Sequence, residues 1–297
     1  MTVILPDDYH AKEDLELVGV PCITKEAALR QDIRALRIGI LNIMPKAENY
    51  EFNLLFPLGR SILQIIPVWI RLESHDYRST NKEHLKKLYV SFSEAIKNTN
   101  LDGLIVTGAP VEEIEFEDVK YWEEIKRILK YARNNIASTL GMCWGGLALA
   151  KYLGINKIIH SKKVFGVFET KNLVRNHPIT GDLDDIFWCP QSRHAGISDE
   201  ILENEQKQGK IVLLAYSQET GYTIFETPDH RFIMHLGHPE YNSKRLVEES
   251  QRDKAKGRTD VDDPKNFDIH SPINRWRSHR NEFFSSWIKH VYLTTQY

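Results

Sequence analysis

Ile136-Ala-Ser-Thr-Leu-Gly-Met-Cys143-Trp-Gly-Gly-Leu-Ala-Leu-Ala150 decides how the rest of the chain is read. Its first half, Ile136 to Met142, is apolar and partly β-branched, the composition of a buried strand. The part from Leu147 to Leu153 is rich in Ala and Leu and stops at Gly154, which predicts a short helix with a C-terminal glycine. Between them Cys143 sits in a turn flanked by Gly141, Gly145 and Gly146. A strand, a tight turn bearing one nucleophile and a helix make a nucleophile elbow. The free N–H groups and partial positive charge of a helix N-terminus predict a lowered thiol pKa at that place. The competing account is a structural cysteine buried at a strand–helix junction, and a partner base is needed to decide.

Upstream of the elbow, apolar strands alternate with amphipathic helices. Leu36 to Met44 and Leu63 to Leu72 are predicted strands, the second weakened or placed at an edge by Pro67. Lys82 to Ile96 is a predicted helix with Leu85, Leu88, Phe92 and Ile96 on one stripe. Leu101 to Val106 reads as a buried strand that ends in the loop Thr107-Gly-Ala-Pro-Val-Glu112, and Glu117 to Arg133 as a helix. The alternation predicts an α/β fold, an open, mostly parallel sheet with helices on both faces. Active sites of such sheets lie beyond the carboxyl ends of the strands, so the Thr107–Glu112 loop and the Cys143 elbow should meet. Downstream, Val164 to Val174 and the short Phe187 to Pro190 are candidate strands. Ile211 to Ser217, Tyr222 to Thr227 and Arg231 to Leu236 are three more. Helices are predicted from about Ser243 to Lys256 and Asn274 to Tyr292, with a loop from Arg258 to Pro272 between them. Residues 1–35 read as an N-terminal arm with a short helix from Lys25 to Gln31, and residues 36–297 as a single α/β domain.

The net charge of −2 leaves no excess that would draw the chain to nucleic acid or to a membrane surface. Cys22, Cys143 and Cys189 form neither a disulfide framework nor a metal-ligand spacing, which points to a reducing cytoplasm and to no bound metal. Met1 to Glu16 is too polar for a signal peptide, and no apolar run is long enough to span a bilayer. The expected partners are therefore small molecules; the sequence is compatible with a homodimer without fixing one.

A cysteine nucleophile needs a base within hydrogen-bond reach and a group that orients the base. His238 follows the apolar strand Phe232–Leu236, at a strand end as Cys143 does, and Glu240 two residues on can fix its tautomer. His235 lies inside that strand and reads as structural, whereas His194 is an alternative that spacing alone does not exclude. The backbone N–H of Trp144 and one from the Gly108–Ala109 loop are candidate oxyanion donors. Taken singly, Lys163 reads as a solvated lysine, Ser192 as a turn residue, and Arg252 as half of a surface pair with Glu248.

With Cys143, His238 and Glu240 so placed, the chain resembles the class I glutamine amidotransferase-like superfamily. Within it the chain is most similar to the homoserine O-acyltransferases of methionine synthesis, which use acetyl or succinyl donors. The resemblance is carried along nearly the whole chain. Its motifs include Gln31-Asp-Ile-Arg-Ala-Leu, Leu41-Asn-Ile-Met-Pro45, Thr107-Gly-Ala-Pro-Val-Glu112, Cys143-Trp-Gly145 and Phe165-Gly-Val-Phe168. Pro190-Gln-Ser-Arg-His194, Gly237-His-Pro-Glu-Tyr241 and Arg275-Trp-Arg-Ser-His279 continue it. It implies that Cys143 is an acyl-thioester nucleophile, His238 its base and Glu240 the orienting residue. It also implies that Lys163, Ser192 and Arg252 hold the amino-acid substrate, which replaces the bland account of each. Glu112 matches the position where a Gly goes with succinyl-CoA and a Glu with acetyl-CoA, since a carboxylate there fills space and repels a succinyl carboxylate. Acetyl-CoA is thus implied as co-substrate, with no bound cofactor, and L-homoserine as acceptor. Leu147 stands where amidotransferases usually carry Gln, four residues after the cysteine, which argues against ammonia production. The chain departs from the family at Tyr50, usually Thr, and Phe56, usually Arg. If these positions line the pocket, L-serine, one methylene shorter, becomes the alternative acceptor. Homoserine O-succinyl transfer is the further alternative.

Overall fold

The computed structural model describes residues 2–17, 20–30, 34–97 and 99–295; Gln31, Asp32 and Ile33, which open the first matching motif, lie outside the described residues. The first half contains β1 (Thr2–Ile4), α1 (Lys12–Leu17), β2 (Cys22–Ile23), α2 (Lys25–Ala28), β3 (Leu36–Leu41), α3 (Ala47–Leu58), β4 (Gln64–Arg71), α4 (Lys82–Leu88), β5 (Val90–Ser91), α5 (Phe92–Ile96), β6 (Gly103–Val106), α6 (Trp122–Asn135), β7 (Ser138–Met142) and α7 (Trp144–Tyr152). The second half contains β8 (Ile158–Asn172), β9 (Ile186–Gly196), α8 (Asp199–Lys207), β10 (Val212–Ser217), β11 (Gly221–Glu226), β12 (Phe232–His235), α9 (Ser243–Ala255) and α10 (Arg277–Thr294).

The described strands form one sheet in the order β2-β1-β4-β3-β6-β7-β12-β11-β10-β8-β9, with β5 on the flank of β4. Neighbours from β2 to β12 are parallel, and those from β12 to β9 antiparallel. The sheet is therefore mixed and mostly parallel, the α/β class that the strand–helix alternation predicts. Its central strands are buried on both faces, which is why they read as unbroken apolar runs. Successive residues still serve opposite layers. Ile105 and Ile233 pack with α3 and α10 side chains such as Leu54 and Trp287, whereas Leu104, Val106, Phe232 and Met234 pack with Ile125 of α6 and Leu149 of α7. No described helix is long and apolar enough to cross a membrane.

Four local expectations change. The stretch read as an arm supplies β1 and β2 to the sheet and buries Val3, Leu15 and Val20. Strands of three and two residues are too short to show a period. The single helix expected over Lys82–Ile96 is two. Tyr89 is extended, and Ser91 begins a new helix with a reciprocal cap to Glu94, a local competition that the apolar stripe conceals. Strand β4 is interior rather than an edge. Its Pro67 pairs with Ile38 on one side, and on the other falls between the registers of β1, at Gln64 and Ile65, and β5, at Ile70 and Arg71. Its missing N–H thus faces unpaired flank. Finally, the short strand at Phe187–Pro190 is part of the much longer β9, which pairs along β8 and brings Ser192 and His194 into the sheet.

Candidate active site

Strands β6, β7 and β12 run parallel and adjacent, so their carboxyl ends open on one edge of the sheet. Val106 is in register with Gly141 and Met142 with His235. The loop after β6, the turn after β7 and the turn after β12 therefore arrive at one level. Cys143 has φ 49° and ψ −115°, a conformation costly for any residue with a side chain. It is held by its N–H donating to the His235 carbonyl at 2.8 Å and by its own carbonyl accepting from Leu147 N at 3.1 Å. Helix α7 starts against the end of β6 because position 145 is glycine: a Cβ there would lie 2.1 Å from the Val106 carbonyl oxygen.

His238 and Glu240 are buried beside Cys143, and His238 Nδ1 lies 2.7 Å from Glu240 Oε1. The imidazole stacks on Tyr241 at 4.1 Å, which fixes the ring plane. Burial and the Glu112 carboxylate push the Cys143 thiol up, while His238 pulls it down. The net direction is upward, opposite to the lowered thiol pKa expected from the helix N-terminus, with burial of the sulfur as the largest influence. Burial is the largest influence on His238 and opposes its charge, yet the Cys143 sulfur and Glu240 together raise it well above the ordinary value. The arrangement is a coupled pair: each group favours the charged form of the other, the imidazolium drawing the thiol down and the thiolate, with Glu240, drawing the imidazole up. The other two histidines are placed differently. His235 is buried in β12, accepts from Gly237 N at 3.1 Å and is driven down to about 3 by burial and by His238. His194 sits at the rim, 3.6 Å from Asp260 Oδ2.

Cys143, His238, Ala109, Glu112, Lys163, Ser192, His194 and Arg252 all line one cavity of about 430 Å³. Glu240 stands behind His238, and the Trp144 ring is buried in the core, so only its N–H can face the sulfur. Among the described residues neither the Trp144 nor the Ala109 N–H is used in a turn or loop hydrogen bond. Lys163 reaches the cavity because β8 bulges: Ile159 pairs with Ala195 and Val164 with Arg193, leaving 160–163 opposite the single residue His194. Its Nζ is buried, 2.7 Å from Asp253 Oδ2 and 3.5 Å from Glu249 Oε2. Ser192 Oγ donates to Glu249. Arg252 pairs with Asp253 at 2.9 Å and Glu249 at 3.5 Å, not with Glu248, because Glu248 projects toward Lys244 and Arg245. Sequence reasoning missed Glu249 and Asp253, the two α9 acids that seat all three residues. Their i, i+4 spacing was the available signal. Burial works against the Glu249 charge, but Lys163, Arg245 and Arg252 outweigh it and hold the carboxyl at about 2.

Glu112 is half-buried, and its Oε2 accepts from His194 N at 2.6 Å and Ala195 N at 3.3 Å, so it turns inward to β9 rather than out among its acidic neighbours. Burial raises its carboxyl pKa despite these donors. Tyr50 and Phe56 do not line the Cys143 cavity. Tyr50 is buried and donates through its hydroxyl to Glu240 Oε1, and Phe56 faces a separate cavity on the other side of Glu240.

A family model described as homoserine O-succinyltransferase matches residues 2–297. A protein named homoserine O-acetyltransferase from Bacillus cereus is 40% identical, over 100% of this chain and 99% of its own length. One of the same name from Bacillus anthracis is 41% identical with the same coverage. Among solved structures, a glutamine amidotransferase from Thermotoga maritima aligns with TM-score 0.54 at 13% identity, covering 87% of this chain and 99% of that one. A glutamine amido transferase from Methylobacillus flagellatus aligns with TM-score 0.56 at 13% identity, covering 87% and 96%. At that identity the structural likeness speaks for the fold alone.

Proposed function

Because the chain belongs to the homoserine O-succinyltransferase family and is an acyltransferase, we propose that it moves an acetyl group from acetyl-CoA to the hydroxyl of L-homoserine through a thioester on Cys143, a step of methionine biosynthesis. The observation that carries this reading is the convergence of Cys143, backed by His238 and Glu240, with Lys163, Ser192 and Arg252 on one cavity. Its relatives at 40–41% identity bear the acetyltransferase name, and Glu112 lines the cavity as the acetyl reading requires. The motive for L-serine as acceptor is weakened, since Tyr50 and Phe56 stand off that cavity.

In the first half-reaction His238 takes the Cys143 proton as the sulfur attacks the thioester carbonyl. The Trp144 and Ala109 N–H groups stabilise the tetrahedral oxyanion. Its collapse expels the CoA thiolate, which takes the proton from His238. In the second half, His238 removes the proton of the homoserine hydroxyl as its oxygen attacks the acetyl-enzyme. Cys143 then leaves as thiolate and recovers that proton. Glu240 keeps Nδ1 of His238 protonated so that Nε2 does the transfer. Lys163 and Arg252, anchored from behind by Asp253 and Glu249, retain N–H donors for the substrate carboxylate, and Ser192 can accept from its ammonium. The unpaired cysteines suit a reducing cytoplasm, and the thioester's own activation makes a bound cofactor unnecessary.

Incubation with acetyl-CoA alone should add one acetyl mass to the Cys143 peptide, and L-homoserine should discharge it faster than L-serine. His238→Ala should abolish both steps while His194→Ala retains them. Labelling that persists in Cys143→Ala, or a dead His194→Ala beside an active His238→Ala, would overturn the assignment.

A further inference from the structure

A second cavity, of about 390 Å³, lies behind the His238–Glu240 pair. Glu240 is the only carboxylate among the described residues on its wall, and Arg60, Arg277 and Arg280 line it with Phe52 and Phe56. Arg280 is only 4% exposed, and its guanidinium carbon sits 4.5 Å from the centre of the Phe56 ring. Arg60 lies 5.1 Å from the same ring centre. The hydrogen bond that the described residues offer the Arg280 side chain is from Nε to Asn281 Oδ1, at 3.2 Å, a neutral partner. Burial, Arg277 and Arg60 press its pKa down to about 10, and Glu240 is the acid that resists them. A buried cation crowded by two others destabilises a fold unless a counter-charge is supplied.

A further feature of the wall favours an anion. Helices α9 and α10, of 13 and 18 residues, present their N-terminal ends there, through Asn242 and Ser243 and through Asn274 and Arg277. Such ends carry partial positive charge and N–H groups free for an anion.

We propose that this cavity binds a phosphate-bearing small molecule. The phosphate is held by Arg277 and Arg280 with Arg60 beside them, and an apolar or planar portion lies against Phe52 and Phe56. The phosphate is either that of the nucleotide end of the acyl-CoA donor or that of a separate phosphorylated effector.

Calorimetric titration of the full chain carrying Cys143→Ala tests this, since binding is then read without turnover and stands or falls apart from the acyl-transfer reading. Inorganic phosphate in chloride buffer should bind, and Arg277→Gln should weaken it about tenfold or more, the size of one lost charge-assisted contact. Arg277 is exposed, so this variant keeps the core intact, and Arg280→Gln should act in the same direction. Arg258→Gln, at the Cys143 cavity, should leave phosphate binding unchanged. Absent binding to the parent, or binding lost in Arg258→Gln and kept in Arg277→Gln, overturns the proposal. Displacement of phosphate by CoA identifies the donor's phosphate as the occupant, and simultaneous binding of the two identifies a separate ligand.

Discussion

Replacing Glu112 should change which acyl donor is used, and the structure divides the effect into charge and bulk. The carboxylate lines the Cys143 cavity and is close enough to raise the thiol pKa, so it also acts on whatever extends from the acyl carbon. A succinyl group would place a second carboxylate roughly 5 Å away; at an effective dielectric near 20 the repulsion is about 3 kcal/mol. The N–H groups of His194 and Ala195, at 2.6 and 3.3 Å, offset part of that charge. Retaining half leaves about 1.5 kcal/mol, or roughly tenfold in relative kcat/KM. Glu112→Gln removes the charge and keeps an oxygen for those two donors. Glu112→Gly also removes the bulk and releases β9. The acetyl-to-succinyl ratio of kcat/KM should therefore fall about tenfold in the first variant and further in the second. Burial raises the Glu112 pKa, so the carboxylate is neutralised at a higher pH than an ordinary glutamate. The acetyl preference should relax as pH falls toward that value, and should be flat with pH in Glu112→Gln. A ratio unmoved in both variants removes Glu112 as selector, and a parent that prefers succinyl-CoA refutes the acetyl reading.

Two predictions concern stability. Cys143→Gly should be more stable than Cys143→Ala by about 1 kcal/mol in urea unfolding. Positive φ costs a non-glycine residue roughly 1–3 kcal/mol, and glycine's freer unfolded chain takes back about 0.4–1; an alanine variant equal to or above the glycine one would remove the strain from the elbow. The Glu249 carboxyl is held at about 2, below the unfolded value of roughly 4.3, so it stabilises the fold above pH ~4.3 and that stability is lost as pH falls toward ~2. The expected loss, about 2 kcal/mol between pH 7 and 2.5, should appear in urea unfolding of the parent and shrink in Glu249→Gln; identical acid profiles would discount the network.

The elbow, the strand–helix alternation and the place of His238 with Glu240 were legible in the sequence. Each is a local pattern: an apolar strand, a glycine-bounded turn, a histidine just past a strand end. The parallel order of β6, β7 and β12 follows from such patterns once crossovers are required. What holds the side chains in place was not legible. Lys163 is seated by Asp253, 90 residues away, and Glu240 by Tyr50, 190 residues away. Taken from the sequence, Tyr50 was a departure from the family at a position that could have lined the pocket; in the fold it is a second donor to Glu240, the acid hydrogen-bonded to His238. The thiol shows the same division. A helix N-terminus is a sequence-local feature and argues for a lowered pKa, but the upward direction follows from burial of the sulfur and from the Glu112 carboxylate brought to it by the 107–112 loop. Periodicity and turn chemistry are properties of neighbouring residues and survive in one dimension. Desolvation and the pairing of distant charges depend on which surfaces close over which, and only the packed sheet determines that.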